Sequence, residues 1–185
     1  MNKTAIIIPS RLDAIRLPNK PLKIINNKEM ILHVFDQAIK SKAGDVYVAT
    51  PDEKIIETVK SVGGKAIRTS ENHQTGTDRI FEVFKNELGS EPEIIINLQG
   101  DMPNIQPQAI YDLVSYMQKN KCDIGTLASK FNSKTEIDNP NVVKVGVKEK
   151  LLSNVFQNAY DFFRVDENSV YNLYHHIGIY AFTTV

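Results

Sequence analysis

The chain has 185 residues, a length that suits one domain with a sizeable core. Its 22 basic residues equal its 22 acidic ones, and this zero net charge excludes binding to nucleic acids or membrane surfaces driven by overall charge. The one cysteine, Cys122, excludes an internal disulfide and a cysteine cluster for zinc or iron–sulfur. No apolar stretch is long enough for a signal peptide or a membrane helix, so we expect a soluble, cytoplasmic protein.

Short apolar runs and amphipathic segments alternate along the chain. The run 5–8 has the character of a buried strand, whereas segment 30–40 places Ile31, Val34 and Phe35 on one helical face. The full pattern predicts strands at 5–8, 46–49, 65–68, 94–98 and 123–127, and helices at 30–40, 53–61, 77–86 and 107–119.

This alternation predicts an α/β fold. Strictly alternating strands and helices indicate a mostly parallel central sheet with helices on both faces. Because no repeat or linker interrupts the pattern, we expect a single domain over residues 1–185. Open sheets of this kind bind ligands at the carboxyl ends of their strands, so the loops that follow the strands are the expected site.

The loop after the first strand carries three cations. Arg11, Arg16 and Lys20 alternate with prolines that restrict the backbone. Cations held at fixed positions favour a polyphosphate ligand, although a merely soluble loop has the same composition. The loop lacks the G-x-G-x-x-G pattern, which argues against a plain metabolite-binding Rossmann domain.

The predicted strand at 94–98 ends in the segment NLQGDMP. Gly100 permits a sharp turn, and Asp101 then presents one hard oxygen ligand at the strand end. Magnesium is often held by one or two carboxylates together with substrate phosphates. Asp101 could equally cap the next helix or close a turn. The neighbouring Gln99 can both donate to and accept from a sugar hydroxyl.

A third polar segment, HQTGTDR, precedes the helix predicted at 77–86. Thr77 can cap that helix, Gly76 allows a close approach of the backbone, and Gln74 offers groups suited to a base edge or a ribose. Taken alone the segment is also consistent with ordinary helix capping. Together with the other two loops, it would place cations, hydroxyls and one carboxylate at one rim of the sheet.

The segments IPSR, RLPNKPL, HQTGTDR, NLQGDMP and HHIGIYAF resemble, in order and spacing, the 3-deoxy-D-manno-octulosonate (Kdo) cytidylyltransferases, and the resemblance covers nearly the whole chain. That family couples CTP to the acid sugar Kdo, giving CMP-Kdo and pyrophosphate for lipopolysaccharide synthesis. The resemblance implies a nucleotidyltransferase-type α/β fold, magnesium as cofactor and a homodimer.

The resemblance also implies roles for the matching residues on the phosphate side. Arg11, Arg16 and Lys20 would bind the triphosphate, with Arg11 nearest the reacting α-phosphate. Asp101 would hold magnesium. Catalysis would therefore depend on Arg11, Lys20 and Asp101.

On the base and sugar side, the resemblance implies two further sets. The nucleotide-binding set comprises Gln74, Gly76, Thr77 and Arg79. The acid-sugar set comprises Gln99, His176 and Tyr180, although a lone histidine is often structural.

Two features of the chain leave alternatives open. Asn158 stands where the family typically has an arginine beside the acid sugar, which favours a related enzyme acting on another acid sugar. Family members continue beyond the segment HHIGIYAF, so we expect this chain to be C-terminally truncated relative to them. A non-catalytic, nucleotide-binding remnant is the alternative from a different functional class.

Overall fold

The computed structural model describes residues 4–13, 17–152, 156–165 and 170–184. The chain divides into two compact units. The first unit comprises Met1–Gly125 with Ile179–Val185, and the second unit comprises Thr126–Gly178. Among the described residues, no helix is both long and apolar enough to cross a membrane.

The first unit contains most of the regular structure. A 3₁₀ turn, Lys20–Leu22, lies in the loop after the first strand, and a five-residue π-helical turn, Val83–Glu87, extends the third helix. The strands and helices follow one another as β1 Thr4–Pro9, β2 Ile24–Ile25, β3 Lys28–Glu29, α1 Met30–Ser41, β4 Asp45–Thr50, α2 Glu53–Ser61, β5 Lys65–Arg68, α3 Gly76–Glu82, β6 Ile94–Leu98, α4 Pro107–Lys119 and β7 Ile124–Ser129, which continues into the second unit.

The central sheet of the first unit is mostly parallel. Strand β1 pairs in parallel with β4 on one side and with β6 on the other, and β4 pairs in parallel with β5. In this register Ile6 lies opposite both Val46 and Ile96. The last strand, β10 Asn172–Thr183, pairs antiparallel with β6 through residues 179–183. The sheet therefore has the mixed, mostly parallel character expected of the alternating sequence.

Helices pack on both faces of this sheet because the side chains of β1 alternate in direction. Ile7 joins a buried cluster with Ile80 of α3 and with Val83. On the opposite face Ile8 and Ile31 of α1 both approach the position of Gly100. The α/β fold with helices on both faces is confirmed, and it leaves the strand ends free to form a site.

The elements of strongest periodicity lie where the sequence predicts them, at 53–61, 65–68, 94–98 and 107–119. One prediction is wrong in detail. Helix α3 begins at Gly76, and its cap is Thr75 rather than Thr77. Thr75 Oγ1 accepts from Asp78 N at 3.1 Å, and Thr75 N donates to Asp78 Oδ2 at 3.2 Å. The cap therefore lies two residues before the Thr77 that the sequence analysis proposes, because Thr75 and Asp78 form this reciprocal capping box.

The second unit contains α5 Lys134–Asp138, β8 Lys144–Val147 and β9 Asp161–Phe163, with the first part of β10. Strand β8 pairs antiparallel with both β9 and β10. The side chain of Lys144 is 1% exposed, and its Nζ donates to the carbonyls of Asn139, Val142 and Arg164. This buried cation therefore joins the loop before β8 to the residue that follows β9.

Candidate functional site

A cavity of about 450 Å³ opens at the carboxyl ends of β1 and β6 in the first unit. Four stretches of chain form it: the end of β1 with its loop, the 3₁₀ turn, the loop before α3, and the end of β6 with its turn. Tyr180 of β10 completes the wall and lies opposite Asn97 in the sheet register. The predicted site residues brought together in this wall are Arg11, Lys20, Gln74, Gly76, Thr77, Arg79, Gln99, Asp101 and Tyr180.

The loop after β1 is anchored at its start and closed at its end. Leu12 N donates to Asp52 Oδ2 at 2.9 Å, and Asn19 N donates to Leu12 O at 3.1 Å. Asn19 adopts a left-handed conformation with φ of 57°, which asparagine tolerates better than most residues. Arg11 and Lys20 are thereby presented to the cavity from fixed backbone positions. The predicted phosphate ligand Arg16 lies outside the described residues.

Lys20 Nζ and Asp101 Oδ2 form an ion pair at 2.6 Å. The two side chains are 36% and 44% exposed, so both remain accessible from the cavity. Asp101 does not cap the next helix, because α4 has Gln106 at its N-cap position and no side-chain cap bond. The carboxylate of Asp101 is therefore available to a cation, and here that cation is the lysine.

The loop before α3 forms another part of the cavity wall. A Cβ at Gly76 would lie 3.1 Å from Pro9 Cγ, so glycine lets this loop pack closely against the end of β1. Thr77 Oγ1 accepts a long hydrogen bond of 3.4 Å from Asn97 Nδ2. Backbone and small side chains thus make up the surface at this point.

Arg79 lies beneath that wall rather than reaching across the cavity. It is 3% exposed, and its Nη1 donates to Ser70 O at 2.8 Å and to the hydroxyl of Thr69. Burial and the nearby Arg11 lower the pKa of its guanidinium. Arg79 lines the cavity, but its Nη1 is already hydrogen-bonded to Thr69 and Ser70 of the loop before α3.

The structure adds two polar residues that the sequence reasoning did not select. Ser10 and Asn97 both line the cavity and are 7% and 4% exposed. Ser10 Oγ and Asn97 Oδ1 are buried and have no hydrogen-bond partner among the residues that the structure describes. Asn97 could have been recognised as the polar residue inside the apolar strand IIINL. Ser10 gave no such signal, because a serine after a strand is ordinary turn chemistry.

The carboxylates in the described part of the chain are too dispersed for a metal site made by protein alone. Among those residues, no group of three or more histidine, cysteine, aspartate or glutamate side chains is placed to hold an ion. Asp101 is the acidic residue in the described cavity wall. One carboxylate suits magnesium when phosphate oxygens and water supply the remaining ligands.

His176, predicted to contact the sugar, belongs to the second unit. It is 8% exposed; its Nε2 lies 2.9 Å from Thr126 Oγ1, and its ring meets Phe162 edge-on at 5.1 Å between centroids. Burial and the neighbouring His175 lower the pKa of its imidazole. His175 itself bonds Glu136 through Nδ1 at 2.7 Å. Asn158 is exposed.

Sequence comparison relates the chain to one enzyme family. A family model described as cytidylyltransferase matches residues 5–185. A 3-deoxy-manno-octulosonate cytidylyltransferase of Brucella anthropi is 40% identical over 97% of this chain and 73% of its own length. The enzyme of the same name from Vibrio parahaemolyticus is 37% identical over 96% of this chain and 73% of its own length.

Solved structures give the same relationship. A CMP:2-keto-3-deoxy-manno-octonic acid synthetase complexed with CTP superposes with a TM-score of 0.85 at 38% identity, over 99% of this chain and 75% of that one. The 4-diphosphocytidyl-2C-methyl-D-erythritol synthase of Anaerococcus prevotii has a TM-score of 0.63 at 16% identity, over 99% of this chain and 72% of that one. The second likeness shows a shared fold only.

Proposed function

The chain belongs to the cytidylyltransferase family, and from that membership we propose that it transfers the cytidylyl group of CTP to Kdo, giving CMP-Kdo and pyrophosphate. The observation that carries this proposal is the cavity itself. Its wall brings together Arg11 and Lys20 of the first loop, the loop before α3, and Asp101. The relatives named for this reaction match nearly the whole chain.

The dimensions and chemistry of the cavity suit a nucleoside triphosphate. Its volume of about 450 Å³ lies in the usual range for small-ligand sites. Arg11 and Lys20 supply the positive charge that a triphosphate needs, and they stand on a loop fixed by Asp52 and Asn19. Gln74, Gly76 and Thr77 offer the amide, hydroxyl and backbone groups that a pyrimidine or ribose requires.

The proposed reaction is an in-line displacement. The anomeric hydroxyl oxygen of Kdo attacks the α-phosphorus of CTP, a new carbon–oxygen–phosphorus link forms, and the bond to the bridging β-phosphate oxygen breaks. The hydroxyl proton leaves to solvent, and pyrophosphate departs with the electron pair. Since no covalent enzyme intermediate is needed, positioning and electrostatics account for the rate.

Two cations of the first loop act directly on the phosphates in this scheme. Arg11 can bind α-phosphate oxygens through two parallel donors, and Lys20 offsets the charge that accumulates on the departing pyrophosphate. Lys20 must leave Asp101 to do so. Lys20 can exchange Asp101 for phosphate because both partners of the ion pair are partly exposed, and an exposed ion pair is weak.

Magnesium is the proposed cofactor, and Asp101 is its proposed ligand from this part of the chain. When bound at Asp101, it would supply positive charge that offsets the negative charge of the phosphates. The donor set supports the assignment, since a single accessible carboxylate beside a cationic phosphate site matches the preference of magnesium for mixed protein and substrate ligands.

For the acid sugar, we propose contacts with Gln99 and Tyr180 in the cavity wall. A sugar-binding role of His176 is a separate proposal, because His176 belongs to the second unit. The Gln99 amide can pair with a sugar hydroxyl, and the Tyr180 side chain offers a ring face and a hydroxyl. His176 has a depressed pKa, so it is neutral at pH 7 and acts as a hydrogen-bonding group rather than as a cation for the sugar carboxylate.

The direct test is pyrophosphate release from CTP, Kdo and magnesium, compared with CTP alone. Arg11→Ala should abolish Kdo-dependent release, whereas Arg68→Ala should not, because Arg68 pairs with Glu53 and Pro51 O outside the cavity wall. Equal activity in wild type and Arg11→Ala would overturn the assignment of this loop. Tight CTP binding without turnover on any acid sugar would favour the non-catalytic alternative.

Asn158 makes the choice of acid sugar a separate question. The arginine that the family typically has at this position would pair with a carboxylate, and asparagine cannot. To identify the preferred acid sugar, kcat/KM is measured for Kdo, an amino-substituted Kdo and a nonulosonate at equal CTP concentration. Higher kcat/KM for another sugar than for Kdo would assign the chain to that substrate.

A further inference from the structure

The loop of residues 69–75, between β5 and α3, carries three consecutive cavity residues, His73, Gln74 and Thr75. It contains no regular secondary structure, so the hydrogen-bond ladders that fix strands and helices do not hold it. Its first residue is tied to the sheet, since Thr69 N donates to Thr50 O at 3.0 Å. Its last residue is tied to α3 by the capping box. The middle needs other restraints.

Those restraints come from two side chains of α3, three positions apart and hence on one face of the helix. Arg79 donates to the carbonyl of Ser70 at 2.8 Å. Glu82 Oε2 accepts from the amide of the same residue at 3.0 Å. Ser70 is therefore held through both its backbone carbonyl and its backbone amide. Arg79 and Glu82 together restrain the loop near its start.

Glu82 makes a second bond further along the loop, to His73 Nε2. The Glu82 and His73 side chains are 26% and 20% exposed, which shields the bond from water. Burial opposes ionisation of Glu82, but the bonds from His73 and Ser70 outweigh it and keep the pKa of the carboxyl below its usual value. An ionised carboxylate only accepts hydrogen bonds, so Nε2 of His73 is the donor.

We propose that Glu82 is the positioning residue of this loop: by holding the Ser70 amide and His73 together, it keeps the cavity-facing groups of residues 73–75 in place, and so sets the affinity for the nucleotide rather than the rate of transfer. The inference rests on the proposed function for the identity of the nucleotide. Glu82 does not itself line the cavity, whereas His73 does. Its effect on CTP must therefore pass through the loop.

The test compares Glu82→Gln with wild type and with Glu57→Gln, an exposed glutamate of α2 outside the cavity wall. Titration calorimetry with CTP alone gives Kd, and pyrophosphate release at saturating Kdo gives KM for CTP and kcat. Loss of a hydrogen bond to a charged group predicts that Kd and KM rise about tenfold or more in Glu82→Gln. The value of kcat should stay within about threefold, and Glu57→Gln should match wild type.

A second variant tests the route through His73 and also serves if Glu82→Gln fails to fold. His73→Asn should weaken CTP binding in the same direction. The double variant Glu82→Gln/His73→Asn should bind CTP no more weakly than the poorer single variant, because both changes break one bond. Additive losses would mean that Glu82 does not act through His73 and would overturn that route.

Two other outcomes overturn the proposal as a whole. Unchanged Kd and KM in a folded Glu82→Gln variant would show that the loop does not depend on this carboxylate. A loss of kcat with unchanged KM would place Glu82 among the groups that stabilise the transition state. Failure of the proposed function is separate, because wild type would then bind CTP without Kdo-dependent release, and the Kd comparison would still decide the role of Glu82.

Discussion

Lys20 Nζ lies 2.6 Å from Asp101 Oδ2, joining loops that are 81 positions apart in the chain. The pair places a cation and its neutralising anion at the mouth of the cavity. Both side chains are more than one third exposed, so the pair contributes at most about 1 kcal/mol to stability. Its value for the proposed reaction is that each partner is prepositioned for an opposite charge, Lys20 for phosphate and Asp101 for a divalent cation.

The first prediction concerns Asp101. We expect Asp101→Asn to lower kcat for pyrophosphate release by about a hundredfold or more, because the only acidic group of the described cavity wall is lost. Stability in urea should change by less than about 0.5 kcal/mol, since the ion pair is exposed. Calorimetry should also show that magnesium no longer tightens CTP binding. Full magnesium dependence in the variant would contradict the assignment.

The second prediction concerns the buried guanidinium of Arg79. Arg79→Met keeps much of the volume but removes the donors to Ser70 O and Thr69, so we expect a loss of about 1–3 kcal/mol in the free energy of unfolding. The matched control is Arg68→Met, whose side chain is 59% exposed and should change stability by less than about 1 kcal/mol. Urea unfolding measures both. An equal loss in the free energy of unfolding for the two variants would show that the buried Arg79 contributes no more to stability than the exposed Arg68.

Much of the first unit could be predicted because its elements have strong periodicity. The helices at 53–61 and 107–119 match the structure, since both carry apolar residues on one face between clear breaks. The start of α3 was missed for a physical reason. Two threonines, Thr75 and Thr77, both suit an N-cap, and only the position of Asp78 three residues after Thr75 makes the capping box.

The site could be predicted as three loops meeting at the strand ends, because parallel topology dictates that meeting. What could not be predicted is which side chains face the ligand and which hold the loops. The family resemblance implies that Arg79 binds the nucleotide, and only the fold shows that its Nη1 donates to Thr69 and Ser70. The strand predicted at 123–127 corresponds to β7, which continues into the second unit. Strands β8 and β9 of that unit were not predicted, because they are only four and three residues long.

The third prediction contrasts two buried serines. Ser10 and Ser41 are 7% and 5% exposed. Ser10 Oγ has no hydrogen-bond partner in the described part of the chain, whereas Ser41 Oγ donates to Ala38 O at 2.6 Å. Removing an unsatisfied buried hydroxyl should stabilise, so we expect Ser10→Ala to raise the free energy of unfolding by about 1 kcal/mol. Ser41→Ala should lower it by about the same amount.

Ser10→Ala should also leave CTP affinity unchanged. The Oγ atom is covered by protein even though the residue lines the cavity, so a ligand does not reach it. Urea unfolding and CTP calorimetry on both serine variants check this pair of expectations. Weaker CTP binding in Ser10→Ala would instead identify the hydroxyl as a ligand contact that becomes exposed when the nucleotide binds.

The last prediction concerns pH and His176. Burial and His175 hold the pKa of the folded imidazole below its ordinary value, so as pH falls the unfolded chain takes up this proton before the folded chain does. The contribution of His176 to stability is therefore complete above about pH 6.5 and is lost as pH falls towards the folded pKa. We expect urea stability to fall more steeply between pH 7.5 and about 5 in wild type than in His176→Gln. The other histidines cancel in this comparison, and parallel profiles would show that His176 keeps its ordinary pKa in the folded protein.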